Sequence, residues 1–226
     1  MRYNGLMMSF FSEWKGFWPA ERKRSMYLGL LLLLLSIIVQ VTLGRYSADQ
    51  AVSAAPASDL FLNNLPVVNL DFIIVGGAIA LWVVAALLLL RRPRYLIFGV
   101  KAIALYIISR AFFISLTHIG PYPHQFSPSP NNLGYSFYEL FTFQGNYFFS
   151  GHTGFPYLMA LIFWDNTFWR RTFIFLTVFF GASVLLAHVH YSIDVFAAPF
   201  IVYGVFVITA KVFPRDYALV PTLADS

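Results

Sequence analysis

The uncharged stretch MYLGLLLLLLSIIVQVTLG, residues 26–44, decides the fold class of this chain. Its 19 residues include six consecutive leucines and no charged side chain. A helix needs about 20 apolar residues to cross the hydrocarbon core of a bilayer. The whole chain agrees, since 59% of its 226 residues are hydrophobic and 11% are charged, whereas soluble domains carry about 25% charged residues. We therefore expect an all-α integral membrane protein.

The same stretch could also be a secretory signal peptide, with VSAAPAS at residues 52–58 as its cleavage region. A signal peptide, however, has an apolar core of about 7–15 residues. The uncharged stretch here is longer, and 25 residues precede it. A retained first transmembrane helix is therefore the better interpretation.

Hydropathy predicts six transmembrane helices in a single membrane domain, residues 1–226. The predicted spans are 26–44, 72–90, 95–117, 147–164, 172–187 and 195–210. The last three are short, so we expect their ends to extend into the flanking residues. The domain is predicted to comprise an interfacial segment (1–25), a six-helix core (26–213) and a cytoplasmic tail (214–226).

The lysines and arginines lie on alternate sides of these spans. The first, third and fifth connections together contain one basic residue, Arg45. The N-terminal segment, the second and fourth connections and the tail contain Arg2, Lys15, Arg22, Lys23, Arg24, Arg91, Arg92, Arg94, Arg170, Arg171, Lys211 and Arg215. Basic residues favour the cytoplasmic side, so both termini are predicted to be cytoplasmic. The aromatic and basic residues of 1–25 predict a helix along that interface.

Composition also excludes several functions. The net charge of +5 does not indicate nucleic-acid binding, because the basic residues form short patches between apolar runs. There is no cysteine, so disulfides, thiol catalysis and zinc–thiolate sites are excluded.

Six ionisable residues are predicted at membrane depth, where such groups are costly and often functional. They are Lys101, Arg110, His152, His188, His190 and Asp194. Lys101 lies about two turns from the cytoplasmic end of its span, so we expect it to extend to the lipid head groups. His188 is expected to bond to a neighbouring carbonyl.

His152, His190 and Asp194 are predicted to meet at the outer membrane face. His190 and Asp194 are four residues apart and share a face if the turn between them is helical. Asp194 could then accept a hydrogen bond from Nδ1–H of His190 and leave Nε2 as a nucleophile or base. His152, at the outer start of the fourth span, would supply a separate proton donor.

The residues around His152 predict a phosphate site. Ser150 and Gly151 begin the fourth span, where unpaired N–H groups and the helix dipole favour an anion. Gly151 also permits close backbone approach. Arg110 lies in the outer half of the third span and needs an anionic partner, which could be a phosphate or Glu139.

The motifs FFSGHTG (148–154) and AHVHYSIDVFAA (187–198) resemble the type 2 phosphatidic acid phosphatase superfamily, and within it the sphingomyelin synthase-related branch. The resemblance spans about 106–206. The phosphatase branch has a lysine followed seven residues later by Arg-Pro, whereas Arg110 follows Lys101 by nine residues without a proline. Val184 replaces that branch's further arginine. The synthase branch's Cys-Gly-Asp is Gln144–Asn146 here.

The resemblance implies a lipid phosphotransferase that works through a phosphohistidine, with a phospholipid donor, a lipid hydroxyl acceptor and no cofactor. It implies His152, His190 and Asp194 as catalytic residues, at the non-cytoplasmic face of a bacterial inner membrane. Arg110, Ser150 and Gly151 would bind phosphate. Position alone suggests a substrate pocket formed by Tyr138, Glu139, Asn146 and Tyr191.

Three alternatives remain open at this stage. With water as the acceptor, the protein would be a lipid phosphate phosphatase. His152, His188, His190 and Asp194 could instead bind a metal ion in a metal-dependent membrane enzyme. The chain could also be a non-catalytic lipid binder.

Overall fold

The computed structural model describes residues 14, 16–123, 125, 138, 142 and 147–221. Within these residues the regular secondary structure is entirely helical, which confirms the all-α prediction. In chain order the helices are α1 (Ala20–Ala51), α2 (Phe72–Arg91), α3 (Pro93–Leu116), α4 (Gly151–Ile162), α5 (Thr167–Leu186), α6 (Ser192–Val212) and α7 (Pro214–Tyr217). The first turn of α2, Phe72–Gly76, is a π-helix.

Five of the described helices, α1, α2, α3, α5 and α6, are long and apolar enough to cross a membrane. They support an integral membrane protein, as the composition predicts. Both α5 and α6 are longer than their hydropathy segments, which confirms that their ends extend into the flanking residues. Helix α1 begins at Ala20, so residues 20–25 form one continuous helix with the first predicted span, and the interfacial segment stays a prediction. Residues 1–13 and 15 lie outside the described residues.

The fourth predicted span, 147–164, is not confirmed as a transmembrane helix, so the described residues support five spans and not six. Helix α4 has 12 residues and is therefore about 18 Å long, well short of the hydrocarbon thickness of about 30 Å. Before it, Phe148 and Phe149 have left-handed φ angles of 78° and 40°, which a helix cannot continue through. After it, a turn leads to Asn166, whose side chain caps α5. Both flanking segments contain apolar side chains, which raised the mean hydropathy of the predicted span although the segments themselves do not continue the helix.

Helix α3 is the most buried of the five long helices, and α1 packs along it. The buried residues of α1 are small or polar and include Gly29, Ser36 and Gly44. A Cβ atom on Gly29 would lie 3.4 Å from the Lys101 side chain. Five leucines of α1 are exposed, namely Leu28, Leu30, Leu31, Leu34 and Leu35, and Leu31 is 62% exposed. Helix α1 thus offers an apolar surface suited to lipid tails.

Lys101 does not extend to the lipid head groups, so that prediction is wrong. Its side chain is 1% exposed and pairs with Asp216 of α7. Lys101 Nζ also donates to Ser25 Oγ at 2.6 Å, and Ser25 Oγ–H donates to Asp216 at 2.7 Å. The ammonium lies 4.4 Å from the centre of the Phe213 ring. Because α7 folds back against α1 and α3, it supplies a carboxylate that the hydropathy pattern could not place.

We expect Asp216→Ala to destabilise the protein strongly, because it leaves the Lys101 charge buried and unpaired. Removing one partner of a buried pair costs about 3–5 kcal/mol. Glu21→Ala is the matched control, since it breaks the exposed Arg215–Glu21 pair at the same end of the bundle. Thermal unfolding in detergent should show a much lower melting temperature for Asp216→Ala and an almost unchanged melting temperature for Glu21→Ala. Equal effects would contradict the assignment.

Candidate active site

The N-termini of α4 and α6 are held together at one end of the bundle. Ser150 caps α4, because its Oγ accepts the Thr153 N–H at 3.3 Å. Its own N–H donates to the Asp194 carbonyl at 2.9 Å. The left-handed turn directs the Phe148 N–H to the Asp194 carboxylate at 3.0 Å. The turn before α4 is therefore built on the first turn of α6.

His190 and Asp194 are in direct contact, with 3.1 Å between Nδ1 and Oδ2. His190 precedes α6, so the contact does not arise from a shared helical face. It arises because Asp194, at the third position of α6, turns back and also accepts the Tyr191 N–H at 3.1 Å. Asp194 is fully buried. An ionised carboxylate only accepts hydrogen bonds, so it holds the proton of His190 on Nδ1 and leaves Nε2 as the basic nitrogen.

His152 lies at the start of α4, and its ring centre is 6.2 Å from that of His190. Its Nε2 is 3.2 Å from the Ile74 carbonyl in the π-helical turn of α2. The hydroxyl of Tyr138 lies 3.5 Å from the same nitrogen. The structure therefore brings together His152, His190 and Asp194, which the sequence predicted, and adds a backbone group of the second span, which it did not.

Arg110 of α3 lies across the first residue of α4. A Cβ atom on Gly151 would be 3.2 Å from Arg110 Nε and 3.4 Å from Cζ. Within the described part of the chain, Arg110 Nε is buried without a hydrogen-bond partner. A guanidinium at a helix N-terminus, with an N–H group left to donate, is suited to an anion with several oxygens. Glu139, the alternative partner, lies outside the described residues.

The other predicted pocket residues have different surroundings. Tyr138 is buried beside His152. Tyr191 is buried, and its hydroxyl joins two loops: it accepts the Ala57 N–H at 3.1 Å and donates to the Gly120 carbonyl at 2.8 Å. Asn146 lies outside the described residues, as Glu139 does. Contact of these side chains with a head group stays a prediction.

His188 is buried in a left-handed conformation with φ 53°. Its ring packs against Tyr122 with 5.4 Å between ring centres. Neither ring nitrogen has a hydrogen-bond partner among the described residues, so the expected carbonyl contact is not seen there. The described residues also contain no cluster of three or more histidine or acidic side chains able to hold a metal ion. This geometry gives the metal alternative no support.

Asp59, in the loop between α1 and α2, is a further residue near the site that sequence reasoning missed. Its buried carboxylate accepts the Ser192 N–H at 2.7 Å, at the first residue of α6. It also accepts the Phe61 N–H at 2.9 Å and the Leu62 N–H at 3.1 Å. An aspartate carboxylate often accepts hydrogen bonds from the backbone N–H groups two or three residues later in the chain, so this local turn is a common one. The hydrogen bond to Ser192 joins residues 133 positions apart in the chain, and no sequence pattern indicates it.

The family comparison covers the half of the site that lies in α4 and α6. Residues 145–211 match the family model described as PAP2 superfamily C-terminal. The matched region contains His152, His190 and Asp194 but neither Arg110 nor Ile74. It supports the PAP2 superfamily, as the motifs predicted, and together with the apolar helices it fits a membrane lipid phosphatase or phosphotransferase. No curated protein and no solved structure matches the chain.

Asp59 should make the stability of the protein depend on acidic pH. Burial alone would raise the pKa of Asp59, but the N–H groups of Leu62, Ser192 and Phe61 lower it below its ordinary 3.8. A lowered pKa in the folded state stabilises the protein above the ordinary pKa, and this stabilisation is lost as pH falls through the folded value. Thermal unfolding is measured from about pH 5 to about pH 2. Over this range the melting temperature of Asp59→Asn should fall less than that of the native protein.

The control for this measurement is Asp49→Asn, since Asp49 is exposed on α1. Its acid profile should follow that of the native protein. A native-like acid profile in Asp59→Asn would contradict the role of the Asp59 carboxylate.

Proposed function

We propose that the protein is a lipid phosphotransferase in which His190 accepts a phospholipid head group and passes it to a lipid hydroxyl. The observation that carries this proposal is the His190–Asp194 contact beside Arg110 and the N-terminus of α4. The proposed nucleophile and the proposed anion-binding group are then both held at the N-terminus of α4, His190 through Asp194 and Arg110 beside Gly151. Phosphoryl transfer needs both, because the nucleophile attacks phosphorus while charge builds on its oxygens.

In the first step, Nε2 of His190 forms a bond to phosphorus as the bond from phosphorus to the glycerolipid oxygen breaks. Asp194 stabilises the positive charge on the imidazole through its contact with Nδ1. His152 gives a proton to the leaving oxygen. In the second step the acceptor hydroxyl gives its proton to His152 and attacks phosphorus, and the bond to His190 breaks.

Arg110 and the first N–H groups of α4 would bind the non-bridging phosphate oxygens. Arg110 Nε is buried without a partner in the described part of the chain, and a charge-assisted bond to phosphate would satisfy it. Ser150 and Gly151 supply the helix N-terminus beside it. These groups provide positive charge, so the proposed reaction needs no metal ion.

Two observations favour a lipid acceptor over water. Lys101, the candidate for the phosphatase branch's lysine, is bound to Asp216 at the other end of α3. Val184, where that branch has an arginine, is fully buried among apolar residues. The site thus resembles the synthase-related branch more closely. The alternating basic residues support its position at the non-cytoplasmic face.

Replacing His190 with Ala should abolish both the phosphoenzyme and lipid turnover, because it removes the imidazole that accepts phosphorus in the proposed first step. The measurement is covalent label retained after mixing proteoliposomes with phospholipid labelled in its phosphate. His118→Ala is the control, since His118 is exposed and its ring contacts the Ser115 carbonyl and Tyr46. Full turnover in His190→Ala would exclude His190 as the nucleophile.

The acceptor is identified by the product. Labelled phosphatidylcholine, phosphatidylethanolamine and phosphatidic acid are supplied separately, with and without ceramide. A transferase converts label to a new phospholipid only when the acceptor is present, whereas a phosphatase releases water-soluble phosphate in both cases. Release independent of ceramide would replace the transferase proposal with hydrolysis.

Gly151→Ala should weaken phosphate binding, because its Cβ would push against the Arg110 guanidinium. Loss of one charge-assisted hydrogen bond costs about 1.5–3 kcal/mol, or roughly 10- to 100-fold in turnover. Gly204→Ala is the matched control, since a Cβ there meets no atom of the described residues within 4 Å. Initial rates in proteoliposomes compare the two variants, and equal rates would contradict the role of Arg110.

A further inference from the structure

The second span reaches the proposed site through its backbone. The Ile74 carbonyl lies in the π-helical turn Phe72–Gly76, 3.2 Å from His152 Nε2. Ile74 is itself 1% exposed. A π-helical turn shifts the carbonyl directions of a helix and is often found at functional sites. Here it gives a buried carbonyl a side-chain partner from another helix.

This contact fixes the position of a proton. A carbonyl oxygen can only accept a hydrogen bond, so Nε2 of His152 must carry the hydrogen. A neutral imidazole has one N–H group, so its Nδ1 is then the nitrogen with the lone pair. The Tyr138 hydroxyl, 3.5 Å from Nε2, is too distant to compete with the carbonyl for this proton.

We propose that the Ile74 carbonyl is a positioning group that fixes the tautomer of His152, so that His152 exchanges protons through Nδ1. The two histidines would then use opposite nitrogens. Asp194 leaves Nε2 of His190 basic, whereas Ile74 leaves Nδ1 of His152 basic. This inference rests on the proposed function for the role of His152 as acid and base.

The proton balance follows directly. Protonated His152 carries hydrogen on both nitrogens and gives Nδ1–H to the leaving glycerolipid oxygen, while Nε2–H stays on the Ile74 carbonyl. The neutral ring then takes the acceptor's proton on Nδ1. The ring keeps one orientation through both steps, because the carbonyl holds the nitrogen that does not exchange.

Gly77 allows α2 to come close enough for this contact. A Cβ atom there would lie 2.9 Å from the buried Phe180 ring of α5. The Phe180 ring is in turn 6.1 Å from the His152 ring, centre to centre. A larger residue at 77 must push α2 and the Phe180 ring apart, so either the Ile74 carbonyl moves away from His152 or the Phe180 ring moves beside the His152 ring. Gly76 differs, since a Cβ there would meet only Phe72 at an ordinary 3.6 Å.

The test is ¹⁵N NMR of histidine-labelled protein in nanodiscs, without substrate, at a pH where the imidazole signals no longer change. The His152 signals are those missing from His152→Gln. We expect the neutral Nε2–H tautomer in the native chain and in Gly76→Ala. In Gly77→Ala we expect both tautomers, with lipid turnover reduced in proportion to the Nε2–H fraction lost. An Nδ1–H tautomer in the native chain would overturn the inference.

A native tautomer in a folded Gly77→Ala variant would also overturn the assignment of Ile74. If that variant does not fold, as judged by circular dichroism, the spectrum of the native chain alone decides. Failure of the proposed function is distinguishable, because the native chain would then turn over no lipid, or His152→Gln would turn it over normally, whatever tautomer is found.

Discussion

The carboxylate of Asp194 is the group on which the site depends. Its Oδ2 holds His190 and the Tyr191 N–H, and its Oδ1 holds the Phe148 N–H. A buried carboxylate is stable only when such donors surround it. These contacts fix the position of His190 and the turn that starts α4, so one side chain sets the distance between His190 and the N-terminus of α4. Loss of this charge would disturb both parts of the site together.

Helix α3 carries two cationic side chains, Lys101 and Arg110, and their surroundings differ. Lys101 and Arg110 are nine residues apart, about 14 Å along the helix. Lys101 is neutralised by Asp216 and joins α1, α3 and α7. Among the residues that the structure describes, Arg110 Nε has no hydrogen-bond partner, and it lies beside Gly151. One end of the bundle is therefore closed by protein contacts, and the other has a charge suited to an external anion.

Patterns local in sequence predicted much of the fold and of the site. Apolar runs predicted the five long helices, and the four-residue spacing of His190 and Asp194 predicted their contact. Two errors came from contacts that hydropathy does not encode: α4 is shortened by the left-handed turn at Phe148, and Lys101 is paired by Asp216, 115 residues away. The contact of the Ile74 carbonyl could not be predicted. Every residue has a backbone carbonyl, so the residue type does not indicate which carbonyl will contact a side chain. The match over 145–211 omits Ile74 as well.

The shortness of α4 has a consequence for the depth of the reaction. If its C-terminal end lies at the cytoplasmic boundary, as Arg170 and Arg171 predict, a helix of about 18 Å ends about 12 Å below the outer edge of a hydrocarbon core of about 30 Å. A phosphate at His152 would then be below the plane of its own leaflet's head groups. In the proposed reaction, substrate would have to leave that plane to react.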